Sequence, residues 1–136
     1  MNYSMLIARR VVAATVVSAC LAVTALAQSV SFAEPADGAT VSSPFKVKFN
    51  VTGMEVKPAG VMDAGTGHHH LLINMGAIKA GEVIPMDATH LHYGKGQTEA
   101  DITLPPGDYA LTMQFANGAH QSYGPALAKT IHVTVK

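Results

Sequence analysis

Three consecutive histidines stand directly before an apolar run in the stretch GTGHHHLLIN, residues 65–74. In an extended strand, successive side chains point to opposite faces, so His68 and His70 share one face and His69 takes the other. His69 then lies on the same side as Leu71, which belongs to the apolar run. Because that run is expected to face a core, the alternation predicts that His69 points inward and that the other two histidines point outward.

A second pair of histidines repeats this spacing in HLHYGKGQ, residues 90–97, where His90 and His92 flank one leucine. If the two strands pair, up to four imidazole nitrogens meet on one face. Imidazole is a ligand of Cu(II), Zn(II) and Ni(II), and zinc sites commonly have four ligands. His120 is a further candidate because it follows an Asn-Gly turn, and loops gathered at one end of a β-sandwich often carry function. The predicted metal ligands are His68, His70, His90, His92 and His120, and the predicted ion is copper or zinc.

Two other uses of these histidines stay open. The rings could form a metal-free hydrogen-bond network within a structural or protein-interaction domain, since buried polar groups need partners. They could also form a pH-responsive cluster, because neighbouring protonated imidazoles repel each other. His69 is expected to form a hydrogen bond with a backbone carbonyl, and His132 is expected to be an ordinary strand residue.

Catalysis has less support in the sequence than binding. Glu99 and Asp101 alternate on one strand face and could act as acid and base, but such exposed carboxylates mostly interact with solvent. Neither a GxSxG nucleophile motif nor an HExxH zinc motif occurs. The methionines beyond the N-terminus are scattered and form no repeated copper-binding motif. We therefore expect a binding or structural module, with an enzyme that uses the histidines as the third option.

The rest of the chain has the pattern of short strands. Residues 45–51, 108–116 and 128–136 alternate apolar and polar side chains. Glycine- and proline-containing connections at 52–67 and 75–89 separate the strands. No stretch beyond the N-terminal region has a convincing helical period. The pattern predicts an all-β fold, an antiparallel immunoglobulin-like β-sandwich.

The N-terminus has the three parts of a secretory signal peptide. Arg9 and Arg10 are its only charged residues, the uncharged segment 11–27 follows, and this segment ends in the small-residue sequence Ala-Leu-Ala. We expect residues 1–27 to be a signal peptide and residues 28–136 to be a single domain. The location is then periplasmic or secreted, and no transmembrane span is left after removal of the signal.

Cys20 is the single cysteine, and the sequence Val-Ser-Ala-Cys that ends with it also matches a lipoprotein cleavage site. The residues after Cys20 stay apolar up to Ala27, which favours cleavage after Ala27 over lipidation. The domain would then contain no cysteine, which excludes disulfides and thiolate ligands. Residues 28–136 hold seven lysines, nine acidic residues and no arginine, so the net charge is −2 with neutral histidines. Nucleic acid is therefore not an expected partner, whereas a metal ion or a protein is.

Three longer motifs resemble those of a known family. They are GHHHLLI at 67–73, HLHYGKGQTE at 90–99 and LPPG at 104–107. The chain is similar to a bacterial domain-of-unknown-function family of small exported proteins with the pattern GHHHLLI…HLHFGKGQTE…LPPG. The resemblance covers essentially the whole domain and implies export, but it implies no established activity. Its histidines correspond to His68, His69, His70, His90, His92 and His120, and Tyr123 stands near a position where relatives often have another histidine.

Overall fold

The computed structural model describes Cys20, Ala22 and residues 26–136. The predicted signal peptide lies almost entirely outside these described residues. The described chain forms nine β-strands and one 3₁₀ turn at Pro125–Leu127. The strands are β1 (Ser29–Glu34), β2 (Ala39–Val41), β3 (Phe45–Thr52), β4 (Glu55–Val56), β5 (Thr66–Ile73), β6 (His90–Tyr93), β7 (Glu99–Ile102), β8 (Gly107–Ala116) and β9 (Ala128–Val135). None of the described residues forms a helix with the length and apolar character needed to cross a bilayer.

The strands form two sheets. The smaller sheet has the order β1-β3-β7, and the larger has the order β2-β9-β8-β5-β4, with β6 also paired to β5. The pairs β2–β9 and β4–β5 are parallel, whereas the other pairs are antiparallel. The predicted all-β class with antiparallel sheets is therefore confirmed. The immunoglobulin-like assignment stays a prediction.

Alternating apolar residues from both sheets form the main core. Every second residue of β3 is buried from its start to Phe49, namely Phe45, Val47 and Phe49. In the facing sheet β8 contributes residues with the same alternation. These core residues of β8 are Leu111, Met113 and Phe115, all fully buried. The core therefore lies between the sheets, as the periodicity of these segments predicts.

The central strand β5 is buried along its whole length, on both of its faces. Leu71 and Ile73 point into the main core. On the other face Leu72 packs in a second apolar cluster with Ile84 and Ala116. Ile84 belongs to the irregular connection of residues 74–89, so this connection covers the outer face of the larger sheet. We call residues 74–89 the covering connection.

Buried polar residues of β8 hold the covering connection in place. The side chain of Gln114 accepts a hydrogen bond from the N–H of Ile78 at 3.0 Å and donates one to the carbonyl of Gly124 at 3.0 Å. The hydroxyl of Thr112 donates to the carbonyl of Met75 at 2.7 Å. Because these partners are backbone groups of irregular segments, β8 orders the chain that covers the outer face of β5.

Candidate metal centre

Four histidines from three segments bring their ring nitrogens together on the outer face of the larger sheet. Nε2 of His68 lies 3.1 Å from Nε2 of His70 and 3.2 Å from Nε2 of His92. Nδ1 of His120 lies 3.2 Å from the same atom of His68. One nitrogen of each ring lies within 4.8 Å of the others, so the group could hold a metal ion. We call these four residues the four-histidine group.

The pairing of β5 with β6 positions three of these rings. The antiparallel register places His70 directly opposite His92, and His68 stands on the same face two residues before His70. His69 points to the opposite side, where its ring stacks on Phe49 with a centroid distance of 5.0 Å. The predicted orientation of the three consecutive histidines is therefore the one that the structure has.

The fourth histidine lies in a tight loop between β8 and the 3₁₀ turn. Oδ1 of Asn117 accepts hydrogen bonds from the N–H groups of Ala119 at 2.9 Å and Gln121 at 3.0 Å. His120 has a φ of 63°, a left-handed conformation that is uncommon for residues other than glycine. Its carbonyl accepts a hydrogen bond from the N–H of Ile84 at 2.8 Å. The side chain of Asn117 and the covering connection together position the ring of His120.

Two glycines leave the space that this arrangement needs. A Cβ atom placed on Gly94 would lie 2.5 Å from Nε2 of His92, so a side chain there would displace the ring. A Cβ atom on Gly118 would collide with the backbone of Val61. The sequence identifies Gly94 only as part of the HLHYGKGQTE motif and Gly118 only as a residue of the Asn-Gly turn. The position of Gly94, two residues after His92, is the signal that could have revealed its role.

Burial favours the neutral form of three of these imidazoles, those of His68, His70 and His92. Burial, followed by the nearby rings of His92 and His120, lowers the pKa of His68 from 6.5 to about 4. Burial is also the largest cause that lowers the pKa of His70 to about 3. The pKa of His92 is lowered by burial and by His120. A neutral imidazole offers one nitrogen lone pair. Near pH 7 the rings of His68, His70 and His92 can therefore bind a cation without first releasing a proton.

The nitrogen at the centre of the group has more ring nitrogens around it than it can form hydrogen bonds with. A neutral ring nitrogen carries either one hydrogen or one lone pair, so it makes one well-formed hydrogen bond. Nε2 of His68 has three ring nitrogens at 3.1 and 3.2 Å. Two of these contacts therefore bring nitrogens together without a good hydrogen bond between them. A cation among the rings would instead interact with the lone pair of each.

The outer nitrogens of the two most buried rings lack partners. Nδ1 of His68 and Nδ1 of His70 have no hydrogen-bond partner among the described residues. A metal-bound histidine usually donates its other N–H to a carboxylate or a carbonyl. No carboxylate belongs to the four-histidine group, within the part of the chain that the structure describes. A metal ion at this group would therefore have less support from surrounding groups than a zinc ion whose ligands all have such partners.

His90, the fifth predicted ligand, does not join the group. Its Nδ1 lies 2.8 Å from Oδ1 of Asp87, and the strand register places it opposite Leu72 and not opposite a histidine. His90 therefore lies two residues away from His92 along β6. The prediction treated both histidines of the HLH motif alike because their spacing is the same, and the register of β5 with β6 distinguishes them.

The two remaining histidines of the domain also lie outside the group. The prediction that His69 forms a hydrogen bond with a backbone carbonyl is wrong, because neither of its ring nitrogens has a partner among the described residues. Its ring lies between Phe49 and Phe115, with both centroid distances at 5.0 Å, and burial lowers its pKa to about 4. His132 is an exposed residue of β9, with Nδ1 3.7 Å from the carboxylate of Asp37.

Comparison with known proteins places the chain in a family. A search of curated proteins found no match. A solved structure, that of the endo-beta-1,4-mannanase from Thermotoga petrophila, is similar with a TM-score of 0.48 and 12% identity, over 80% of this chain and 20% of that chain. A likeness at this level carries no argument about fold or activity, and the chain spans only about a fifth of that enzyme's length. The profile of a domain of unknown function, DUF4399, matches residues 47–136, which include the whole four-histidine group. The chain therefore belongs to the DUF4399 family.

Proposed function

We propose that this chain is an exported binding module that holds a copper or zinc ion through His68, His70, His92 and His120. The observation that carries the proposal is the convergence of one nitrogen from each ring to within 4.8 Å of the others. Four nitrogen ligands fill the coordination sphere of a tetrahedral ion and leave no open position for a substrate. Carriage, buffering or sensing of the ion suits such a closed site better than catalytic turnover does.

The shortest distances in the group are close to those of a tetrahedral site. With metal–nitrogen bonds of about 2.0–2.1 Å, the ligand nitrogens of a regular tetrahedron lie about 3.3–3.4 Å apart. Nε2 of His68 lies 3.1, 3.2 and 3.2 Å from its three neighbours. The remaining separations extend up to 4.8 Å and would shorten around an ion. His92 and His120 are only partly buried, which gives their rings room for this movement.

The ligand type limits the choice of metal. Residues 28–136 contain no cysteine, so the proposed site has no thiolate ligand. Imidazole ligands without sulfur suit zinc and Cu(II). A tetrahedral arrangement favours zinc, whereas a flattened arrangement of the same four rings favours Cu(II).

The proposal includes export. Support comes from Arg9 and Arg10, the uncharged segment 11–27 and its small-residue ending, which together have the form of a signal peptide. The intact mass of the protein isolated from its native host tests this part. We expect a single domain that begins at Gln28 and lies in the periplasm or outside the cell. A chain that begins at a lipidated Cys20 would contradict cleavage after Ala27.

A metal-free structural or protein-interaction domain is the second candidate. The ring nitrogens of the group also lie at hydrogen-bond distances, which favours a network that braces the loop of His120 against β5. Such bracing could support a surface for a protein partner. The surplus of ring nitrogens around Nε2 of His68 counts against this alternative, because a network leaves two of the contacts without a hydrogen bond.

The metal content of untagged protein tests the proposed function. We expect elemental analysis and calorimetric titration with Zn(II) and Cu(II) to give about one ion per chain. His92→Ala removes a ligand and is expected to lower the affinity at least about tenfold, the lower end of the range for lost metal-site interactions. His132→Ala is the matched control, because it removes an exposed histidine outside the group. Absence of stoichiometric uptake by the wild type, or equal affinity in His92→Ala, would contradict the proposal.

A further inference from the structure

The one histidine of the HLH motif outside the group has the surroundings of a metal ligand. Nδ1 of His90 lies 2.8 Å from Oδ1 of Asp87 and donates its hydrogen to that carboxylate. The same oxygen accepts hydrogen bonds from the N–H groups of Thr89 and His90, both at 2.9 Å. A carboxylate–histidine pair of this kind fixes the orientation and tautomer of the ring. In the neutral ring, the free lone pair then lies on Nε2 of His90.

This nitrogen reaches solvent near the four-histidine group. Nε2 of His90 has no hydrogen-bond partner among the described residues and is not one of their buried unpaired atoms. The side chain is 16% exposed. His90 and His92 are two residues apart on β6, so their rings project from the same face of the sheet. His68 and His70 are fully buried whereas His92 is only partly buried, so the group is accessible from the side on which His92 lies.

Asp87 supplies the negative charge that the group itself lacks. Neutral imidazoles carry no net charge, and no carboxylate oxygen belongs to the group within the described residues. The Asp87 side chain is 52% exposed and is ionised at neutral pH, so it attracts a cation that approaches from water. The pair of Asp87 and His90 therefore combines an attractive charge with an oriented nitrogen ligand at the edge of the group.

We propose that His90, fixed by Asp87, binds the divalent ion first and passes it to the four-histidine group through His92. This inference rests on the proposed function. A bond from Nε2 of His90 to the ion would replace one water ligand, and a bond from Nε2 of His92 would then replace the bond to His90. The other three rings of the four-histidine group would replace the remaining water ligands. The hydrogen on Nδ1 of His90 stays in its bond to Asp87, so neither a proton nor an electron is transferred. His90 acts during loading and is absent from the final set of ligands.

The rate of Zn(II) loading, measured by stopped flow against a fluorescent chelator with untagged protein, tests this inference. His90→Ala is expected to lower the association rate constant about tenfold, while the affinity stays within about twofold, because a passing ligand changes loading and release equally. Asp87→Asn keeps the size of the side chain and removes its charge, so we expect a loss of about threefold or more in the same rate constant. His132→Ala is the matched control, since His132 also lies beside a carboxylate.

Each outcome of this experiment distinguishes between the two proposals. Equal loading rates in the wild type, His90→Ala and Asp87→Asn would overturn the role of His90. A fall in affinity with an unchanged association rate would overturn it as well, because His90 would then be a permanent ligand. If the wild type takes up no Zn(II), the result would instead contradict the proposed function. Thermal unfolding of each variant shows whether it folds. If His90→Ala does not fold, the comparison of Asp87→Asn with the wild type decides the role of the pair.

Discussion

Nε2 of His68 is the atom around which the candidate metal centre is arranged. It is fully buried and contacts three other ring nitrogens at 3.1 and 3.2 Å. Nε2 can make one good hydrogen bond, so the other two contacts bring ring nitrogens together without one. Coordination to an ion would replace these unsatisfied contacts with bonds. We therefore expect metal binding to raise the free energy of unfolding.

Gly94→Ala tests whether the space beside His92 matters for binding. The substitution leaves the sequence of the four histidines unchanged. The new Cβ atom would lie 2.5 Å from Nε2 of His92, so the ring of His92 would have to move. We expect the Zn(II) affinity to fall about tenfold or more, by analogy with the loss of other groups that orient a ligand. Gly76→Ala is the control, since a Cβ atom there has nothing within 4 Å. Equal affinities in the two variants, measured by calorimetry, would contradict the positioning role of Gly94.

His69→Leu tests the energetic cost of the inward-facing imidazole. Both ring nitrogens of His69 are buried without a partner among the described residues, between Phe49 and Phe115. Leucine has a similar volume and no polar atoms, so we expect the variant to be more stable by about 1–3 kcal/mol in urea unfolding. A less stable variant would show that His69 makes a favourable interaction that the contacts do not reveal. Metal binding should be unaffected, because His69 lies on the opposite face of β5.

The pairing of β5 with β6 shows how much of the centre can be predicted from the sequence. The outward direction of His68 and His70 follows from strand alternation, which depends only on local geometry. Strand alternation cannot decide whether His90 or His92 stands beside His70. A shift of two residues in the antiparallel register would place His90 opposite His70 instead of His92. The register depends on the path of the covering connection, residues 74–89. Contacts from β8 and from the loop of His120, both distant in the sequence, hold that path.

Asn117→Ala tests the contribution of the loop that carries His120. The substitution leaves the N–H groups of Ala119 and Gln121 without their side-chain acceptor. Loss of such a loop-capping group costs roughly 1 kcal/mol, and the freed loop should hold His120 less firmly. We expect the Zn(II) affinity to fall about fivefold, and Asn50→Ala, on the exposed side of β3, to leave it unchanged. Unchanged affinity in Asn117→Ala would show that the loop is held by other contacts.

At the scale of the whole molecule, two sheets enclose one core and irregular segments enclose the histidines. The all-β class can be predicted because most strands alternate polar and apolar residues along their own length. The division of the strands into two sheets cannot be predicted in this way. The short strands β2 and β4 have no recognisable local pattern, yet they pair with β9 and β5 in the larger sheet. The absence of hydrogen-bond partners for the ring of His69 could not be predicted either, because it depends on how the two sheets pack together. Its neighbour Phe49 comes from the other sheet.

The metal-free protein should lose stability in mild acid. In the folded protein, burial lowers the pKa of His69 to about 4 and that of His70 to about 3, whereas an unfolded histidine has a pKa of about 6.5. Below about pH 6.5 the unfolded chain therefore binds more protons than the folded chain, which favours unfolding. The stability is complete above that pH and declines as the pH falls towards 4, by up to about 1.4 kcal/mol per pH unit for His69 alone. Urea unfolding at about pH 7.5 and about pH 5 measures this change, and equal free energies would contradict it.

X-ray absorption at the zinc edge, on untagged protein loaded with one equivalent of Zn(II), tests the four-histidine site most directly. The spectrum reports the number and type of atoms bound to the ion. We predict about four imidazole nitrogens at about 2.0–2.1 Å from the zinc. A shell made mainly of oxygen atoms, or one with fewer than three imidazoles, would contradict the assignment of His68, His70, His92 and His120 as a metal centre.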